Sequence, residues 1–522
     1  MLAQASESSE EDLLLWLDEL WQRRIVRVLH EDTYDFSHDK LREVAYHQVS
    51  LPHRRVLHRR VALALESVKA SNLDSISGQL AVHFDKAGLP EQAIQYYYQA
   101  ALVEQKVNAN QQAIKLLKRA LTLLNALPEG YDRDASELKF LTALGISTVD
   151  TLGHGSEEGV PIYDRILALY QKLGKPPAPP ILRAKAIDHL ARAEFKHALE
   201  YSEQLIQLAE HLDDPPLMVE ANYALGVTHF WLGEFQSARE YLEKAVKLYD
   251  PQDSSLHISL YSQNPKVICQ SRLAFTLWCL GYPNKAAEAS RLALDYASEI
   301  AHPWSLAYAS FWNLFLQFNN RAFDLVKEGL LDLTRLCDDF QIRLFMTQCT
   351  MLNGWLDAEQ GDIKAGIEQI REGMENFHAG GAQFQRPYFL SLLAELMGRQ
   401  GDTEQGLALI REALELVEKS DERWCEAEIL RRQGELLGQQ GDMLGMEEMI
   451  QRSMLVARKQ EARILELRAA LTLGRIWMKQ GKDTQLKDLI FPLYRWFSGG
   501  EQAPEVRDAR QLLDEIGINL EN

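Results

Sequence analysis

The sequence predicts an all-α solenoid of stacked helix hairpins, and three observations carry that prediction. Gly361, Gly401, Gly441 and Gly481 recur every 40 residues, each preceded seven positions earlier by a small residue, Gly354, Ala394, Gly434 and Gly474. The text at the glycine is almost constant: Gln360-Gly361-Asp362, Gln400-Gly401-Asp402, Gln440-Gly441-Asp442 and Gln480-Gly481-Lys482-Asp483. Apolar residues follow at helical spacing, as in Ile363, Ile367 and Ile370 or Leu407, Ile410, Leu414 and Val417. A small residue lets two helices approach, the glycine takes the left-handed conformation that ends the first, and the aspartate caps the second. One such hairpin cannot bury its apolar face alone, so neighbours must stack into a continuous core.

The same frame runs backwards with looser text. Leu225-Gly226, Gly233, Phe235, Ala238, Leu242 and Ala245 form the clearest unit, and Gly281 is accompanied by Ala274, Ala286 and Ala293. This arrangement of small and large residues resembles the tetratricopeptide repeat, which implies a right-handed superhelix. At Arg321 the glycine is missing although Phe323, Val326 and Leu330 keep the apolar frame. Gly233 precedes Gly281 by 48 residues, so a loop at 250–266 is expected between two hairpins. A further unit is marked by Phe195, Ala198, Ser202 and Leu205, giving eight hairpins from about residue 181.

A solenoid grows in one dimension, so 522 residues need not mean several globular domains. The formal net charge of −19 argues against a chain built mainly to hold nucleic acid. The five cysteines are scattered with no short-spaced pair, which indicates neither a zinc ribbon nor a disulfide framework but reduced thiols in a cytoplasm. No apolar run reaches membrane-spanning length, and the acidic, polar start is unlike a signal peptide. Neither cofactor nor metal is expected.

In chain order, 1–11 reads as a disordered tail, and Leu13, Leu14, Leu17, Leu20 and Trp21 as one face of a helix. Ile25 to Leu29 and Thr33 to Phe36 read as strands joined across Glu31-Asp32, with Ser37 placed to cap a helix that starts at His38. Residues 12–70 are thus expected as a winged-helix remnant with a connecting helix, 71–180 as the first helical repeats with a break, and 181–522 as the repeat array. The helix near 91–106 sits in two alanine frames, one with Ala93 and Ala100 and one with Ala113 and Ala120. Gly153-His154-Gly155 is poorly suited to a helix, and Lys175 with the prolines through Pro180 reads as a stiff connector.

The run YDFSHDKLREVAYHQVSLPHRRVLHRRVALALE (34–66) resembles the segment that closes the nucleotide-binding module of STAND-type signal-transduction ATPases and leads into their tetratricopeptide region. The resemblance continues in LYDP (248–251), LWCLGYP (277–283), RPYFLSLLAEL (386–396), DERWCEAEILRRQGELL (421–437) and the RWFSGGEQAPEVRDARQLLDEIG text near the end. It implies the regulatory end of a multidomain transcriptional activator or adenylate cyclase. The phosphate loop of such ATPases is missing, because Gly174-Lys175 is followed by Pro176 and Gly481-Lys482 by Asp483. ATP hydrolysis is therefore not expected of this chain, which is either a fragment or the product of a gene for the regulatory end alone.

The first helix of each hairpin lines the inner face of such arrays. There the middle repeats are aromatic: Tyr223, Phe230, Trp231, Phe275, Trp278, Tyr308, Phe311, Phe315, Phe318 and Trp355. These ten are the candidate groove for a peptide, a protein segment or a small-molecule inducer. The competing reading is ordinary core packing, covered by the 250–266 loop. In later repeats the same positions are charged, at Glu395, Arg399, Glu428, Arg431, Glu435, Arg468, Arg475 and Lys479, and are expected to meet solvent or another domain. The basic run His53-Arg54-Arg55 and His58-Arg59-Arg60 reads as a solvated helix face, and His38-Asp39 beside Glu43 as structural, with no third ligand nearby. The expected function is a non-catalytic sensor and interaction scaffold for an ATPase module in the same or a separate chain. The alternatives are a free-standing peptide adaptor, or a DNA-binding regulator acting through the winged helix.

Overall fold

The computed structural model describes residues 1–30, 33–497 and 503–518 of the chain. It holds twenty-seven α-helices and one two-stranded hairpin among the described residues. They divide into two units, 1–148 with 168–175, and 149–167 with 176–522. The expected boundary at 180 thus becomes an interleaved one, because 149–167 packs with the later residues.

In the first unit the expected order of helix, strand pair and helix is present as Glu10–Gln22, Val26–His30, Thr33–Phe36 and Asp39–Gln48. The strands are antiparallel, with Val26 opposite Phe36 and Arg27 opposite Asp35, and the expected turn at Glu31-Asp32 lies outside the described residues. His38, not Ser37, is the cap residue, and its side chain makes no capping bond. The first eleven residues, expected as a disordered tail, contain the helix Leu2–Ser6 with Ala5 buried, and Glu7 pairs with Arg60 at 2.5 Å. The helix Pro90–Lys106 packs on both Ser77–Ala87 and Asn110–Asn125, so it does serve both alanine frames.

The second unit contains the repeat frame. Its hairpins are Pro179–Ala191 with Phe195–Leu212, Pro215–Trp231 with Phe235–Leu248, Pro265–Cys279 with Pro283–Ile300, and Pro303–Asn319 with Phe323–Asp339. Then come Arg343–Glu359 with Ile363–Ala379, Arg386–Arg399 with Thr403–Ser420, Glu426–Gln439 with Met443–Lys459, and Arg463–Lys479 with Asp483–Trp496. A last helix, Pro504–Glu515, packs on the eighth hairpin. The expected loop at 250–266 is an insertion, but it is folded as the helix Ser254–Tyr261.

Local chemistry explains the turns. Gly361, Gly401 and Gly441 have φ of 105°, 95° and 86°, and Asp362, Asp402 and Asp442 accept from the backbone N–H three residues on. In the eighth hairpin Lys482 stands at the cap and makes no such bond. Where glycine is missing, Arg321 takes the left-handed conformation at φ 58°.

The small residues set how close the helices come. A Cβ on Gly366 would stand 2.4 Å from the Gly354 carbonyl oxygen and 2.8 Å from Ala358 Cβ, and backbone cannot yield as a side chain does. Gly366→Ala is therefore expected to cost about 1–3 kcal/mol. Urea unfolding followed by helical circular dichroism measures it, and an unchanged midpoint would refute the close approach.

Candidate functional site

The inner helices position the ten aromatic candidates, and the array folds back over them. Gln383 N–H donates to Ala191 O at 2.7 Å, and Arg423 N–H to Trp231 O at 2.9 Å. The loop before the sixth hairpin thus rests on the turn of the first, and the loop before the seventh on the turn of the second. Arg321 at the fourth turn pairs with Asp508 at 2.9 Å, and Arg468 donates to Asn319 O at 3.1 Å.

This closure brings in aromatic rings that the inner-face pattern does not include. Trp424 lies 5.8 Å from Phe230, 5.9 Å from Phe275 and 6.0 Å from Phe315, centroid to centroid. Tyr388 is 5.4 Å from Phe315, and Phe384 is 5.1 Å from Trp231. Of the ten candidates, Tyr223, Phe230, Trp231, Phe275, Trp278, Phe311, Phe315, Phe318 and Trp355 are buried, and Tyr308 is half-buried. Their rings form a packed interior with an open cavity at each end, in place of one continuous groove. Tyr223, Trp231 and Tyr308 line the first cavity, and Phe318 and Trp355 line the second. Phe230, Phe275, Trp278, Phe311 and Phe315 lie between them.

Arg272 is at the centre of this interior. Its guanidinium sits over the rings of Phe230, Trp231 and Trp312 at 3.9, 4.4 and 3.9 Å, a desolvated cation–π cage. None of its three nitrogens has a hydrogen-bond partner among the described residues. Burial brings it down to about 10, so it remains charged at neutral pH. Glu422 is fully buried and accepts from Gln385 N–H at 2.8 Å and Trp424 Nε1 at 2.9 Å. Burial pushes its carboxyl up to about 8 against those two bonds and the Arg272 charge.

The insertion completes a second buried set. Arg183 Nε donates to Glu220 at 3.1 Å and its Nη2 to Gln263 at 2.6 Å, while His257 Nδ1 lies 2.7 Å from the other Glu220 oxygen. Residues 250–266 therefore supply polar partners to the inner helices, a role that an inserted loop did not suggest.

The second cavity, of about 230 Å³, occupies the charged end. Of the positions expected to face solvent or another domain, Glu395, Glu428, Arg431, Glu435 and Arg468 are buried or half-buried and pair mainly within this charged end. Glu428 meets Arg431 at 3.1 Å, Arg468 at 3.3 Å and Arg432 at 3.7 Å; Arg432 also reaches Glu395 at 2.9 Å. Burial raises the Glu428 carboxyl, but Arg431, Arg468 and Arg432 outweigh it and hold it well below the usual range. Arg399, Arg475 and Lys479 remain exposed.

His189, Glu194 and His197 bring potential metal-ligating atoms within 4.8 Å of one another. The Arg192 guanidinium is already 3.0 Å from Glu194, which neutralises that carboxylate. The arrangement also repeats one hairpin later: His189 meets Glu194 and His229 meets Glu234, both at 2.6 Å, and the rings stack on Tyr201 and Tyr241. A feature copied at the repeat period belongs to the turn. Elsewhere, the five cysteines are buried and free, and no helix among the described residues is long and apolar enough to cross a membrane.

Sequence reasoning missed Arg272, Trp424, Tyr388, Phe384 and Glu422. A tryptophan in an inter-hairpin loop was the available signal for Trp424, since such loops are normally polar.

Paired inner and outer helices, turn glycines and small contact residues define a tetratricopeptide-type repeat domain. The tetratricopeptide repeat family model matches residues 219–251, the second hairpin. An uncharacterized protein of Rhizobium meliloti (strain 1021) is 22% identical over 374 residues, covering 72% of this chain and 36% of that protein. The chain thus spans about a third of that relative's length. A Rap protein complexed with competence and sporulation factor has a similar structure, with a TM-score of 0.52, 13% identity, and coverage of 71% of this chain and 99% of the Rap chain. The APC/C hetero-tetramer Cut9–Hcn1 gives a TM-score of 0.49 at 13% identity, covering 99% of this chain and 97% of that one.

Proposed function

We propose that this chain is a non-catalytic sensor and protein-interaction scaffold, the regulatory repeat region of a cytoplasmic signal-transduction ATPase that controls transcription or cyclic-nucleotide synthesis. The observation that carries this reading is the closure of the array. Later loops rest directly on earlier turns through Gln383 to Ala191 and Arg423 to Trp231. A peptide, protein segment or small-molecule inducer that binds the closed and opened arrangements unequally shifts the balance between them, which is the requirement for control. Glu395, Glu428, Arg431, Arg432 and Arg468 are committed to one another in ion pairs, which suits a scaffold better than acid–base chemistry. The ATPase assignment rests on the resemblance of 34–66 and the later segments to STAND-type ATPases. The partner module lies in the same or a separate chain. The winged-helix reading of 12–70 belongs to the same proposal and assigns that segment a coupling role; DNA binding through it is not favoured at a net charge of −19.

The Rap protein of similar fold, seen with competence and sporulation factor, favours a second reading as a free-standing adaptor. In-cell cross-linking followed by immunoprecipitation through the repeat array separates the two. The expected product contains an ATPase with a phosphate loop, either covalently part of a chain longer than 59.6 kDa or cross-linked to it. Recovery of a 59.6 kDa chain with bound peptides and no ATPase would establish the adaptor instead.

A further inference from the structure

Fifteen of the thirty large apolar side chains that stand exposed among the described residues belong to the first 68 positions of this 522-residue chain. Two helices of the first unit carry most of them. Glu10–Gln22 packs on Leu2–Ser6 and on the strand Val26–His30, yet none of its own residues is buried. Leu51–Val68 packs on Ser77–Ala87 and on Leu2–Ser6 and buries Ala62, Ala64 and Leu65, but its remaining side is open. Single exposed leucines are ordinary, whereas a row of them along a helix marks a surface that another chain covers.

The two open stripes have the same spacing and opposite charge. On the first helix Leu14 and Trp21, seven residues apart, are 57% and 55% exposed; on the second Val56 and Leu63, also seven apart, are 46% and 48% exposed. Seven residues are two helical turns, so each pair forms one ridge. Glu11 and Asp18 lie beside the first ridge and Arg55 and Arg59 beside the second, all four exposed and without an ion-pair partner among the described residues. Glu10–Gln22 carries five acidic residues and no basic one, while Leu51–Val68 carries four arginines against Glu66 alone. Inside the chain the basic helix already holds one piece of the acidic start, through Glu7 and Arg60 at 2.5 Å.

We infer that these stripes are the two halves of a self-complementary interface, and that the occupant of this face is a second copy of the chain. Both stripes are open in one chain, so neither covers the other, whereas a second copy covers both at once. About a twofold axis the acidic helix of each copy lies on the basic helix of the other, and every contact is made twice. A 13-residue helix is roughly 20 Å long at about 1.5 Å per residue, so the dimer gains two ridges of that length. Charge fixes the pairing, because acidic on acidic or basic on basic is repelled. Self-association through this face goes beyond the sensor reading and does not depend on it.

Sedimentation velocity of the full chain at micromolar concentration is the test. The expected native species has twice the mass of one 59.6 kDa chain. Glu11→Arg with Asp18→Arg makes both stripes basic, and Arg55→Glu with Arg59→Glu makes both acidic. Each double variant is expected to self-associate at least about tenfold more weakly, since like charges then meet across the axis. Mixing the two variants restores opposite charge at both contacts, so a heterodimer is expected where neither variant dimerises alone. Should a double variant melt early, Leu14→Gln is the milder substitution, and it is expected to weaken self-association in the same direction. A native chain that sediments as a single copy overturns the inference and assigns the face to a different partner. Dimers that every variant retains, or well-folded double variants that stay apart on mixing, also overturn it. The sensor reading stands or falls separately, on whether an ATPase is cross-linked.

Discussion

Glu428→Ala is expected to destabilise the second unit by about 3–5 kcal/mol, the cost of breaking a buried ion network by removing one partner. Glu428 is 4% exposed and is shared by Arg431, Arg432 and Arg468. Its loss leaves three guanidinium groups at the same end with less negative charge than they need. Glu395 and Glu505 still neutralise Arg432 and Arg468, but Arg431 then depends on Glu435 alone among its direct ion-pair partners. Urea unfolding of native and variant chains measures the effect. The control is Arg475→Ala, which breaks a more exposed pair with Asp508 and is expected to cost less than about 1 kcal/mol. Similar losses for the two variants would mean that the closed end is open to water.

The second large effect is a pH dependence carried by Glu422. The folded chain holds its proton up to about 8, whereas the unfolded chain releases it at the ordinary value of 4.5. Between those values the folded state binds more protons, so the contribution of Glu422 to stability falls as pH rises, by about 1.4 kcal/mol per unit at most. It is fully present below 4.5 and lost above about 8. His154 and His302 act in the opposite direction, since burial depresses both below their ordinary 6.5, but they have finished titrating by then. The decline is therefore clearest from about 6.5 to 8. Glu422→Gln keeps an acceptor for Gln385 and Trp424 and cannot ionise. Melting temperatures across this window are expected to fall for the native chain and stay level for the variant. Parallel curves would show that Glu422 is already ionised at neutral pH.

Most of the fold is legible in the sequence because each hairpin is built from neighbours in the chain. Gly361, Asp362 and the small pair Gly354 and Gly366 meet within a dozen residues, so a 40-residue period displays turn, cap and contact together. The absent glycine at Arg321 disturbs only its own turn, where arginine accepts the left-handed conformation. The candidate site is half legible by the same logic. The inner-face aromatics fall out of the repeat frame, and so does the change to charged residues beyond Glu395. What covers them does not. Trp424 reaches Phe230 across 194 residues and Gln383 reaches Ala191 across 192, and no local pattern marks either pairing.

By itself, then, the sequence determined the hairpin, its turn chemistry, its stacking and which helix faces inward, since all of these depend on residues within one repeat or the next. Tertiary structure alone decided that the aromatic face closes into an interior with a cavity at each end, that Arg272 is caged and that Glu428 is shared by three arginines. The physical reason is cumulative. Each hairpin adds a small rotation to the one before, and whether later hairpins return over the first depends on the sum of those rotations, which no single repeat contains.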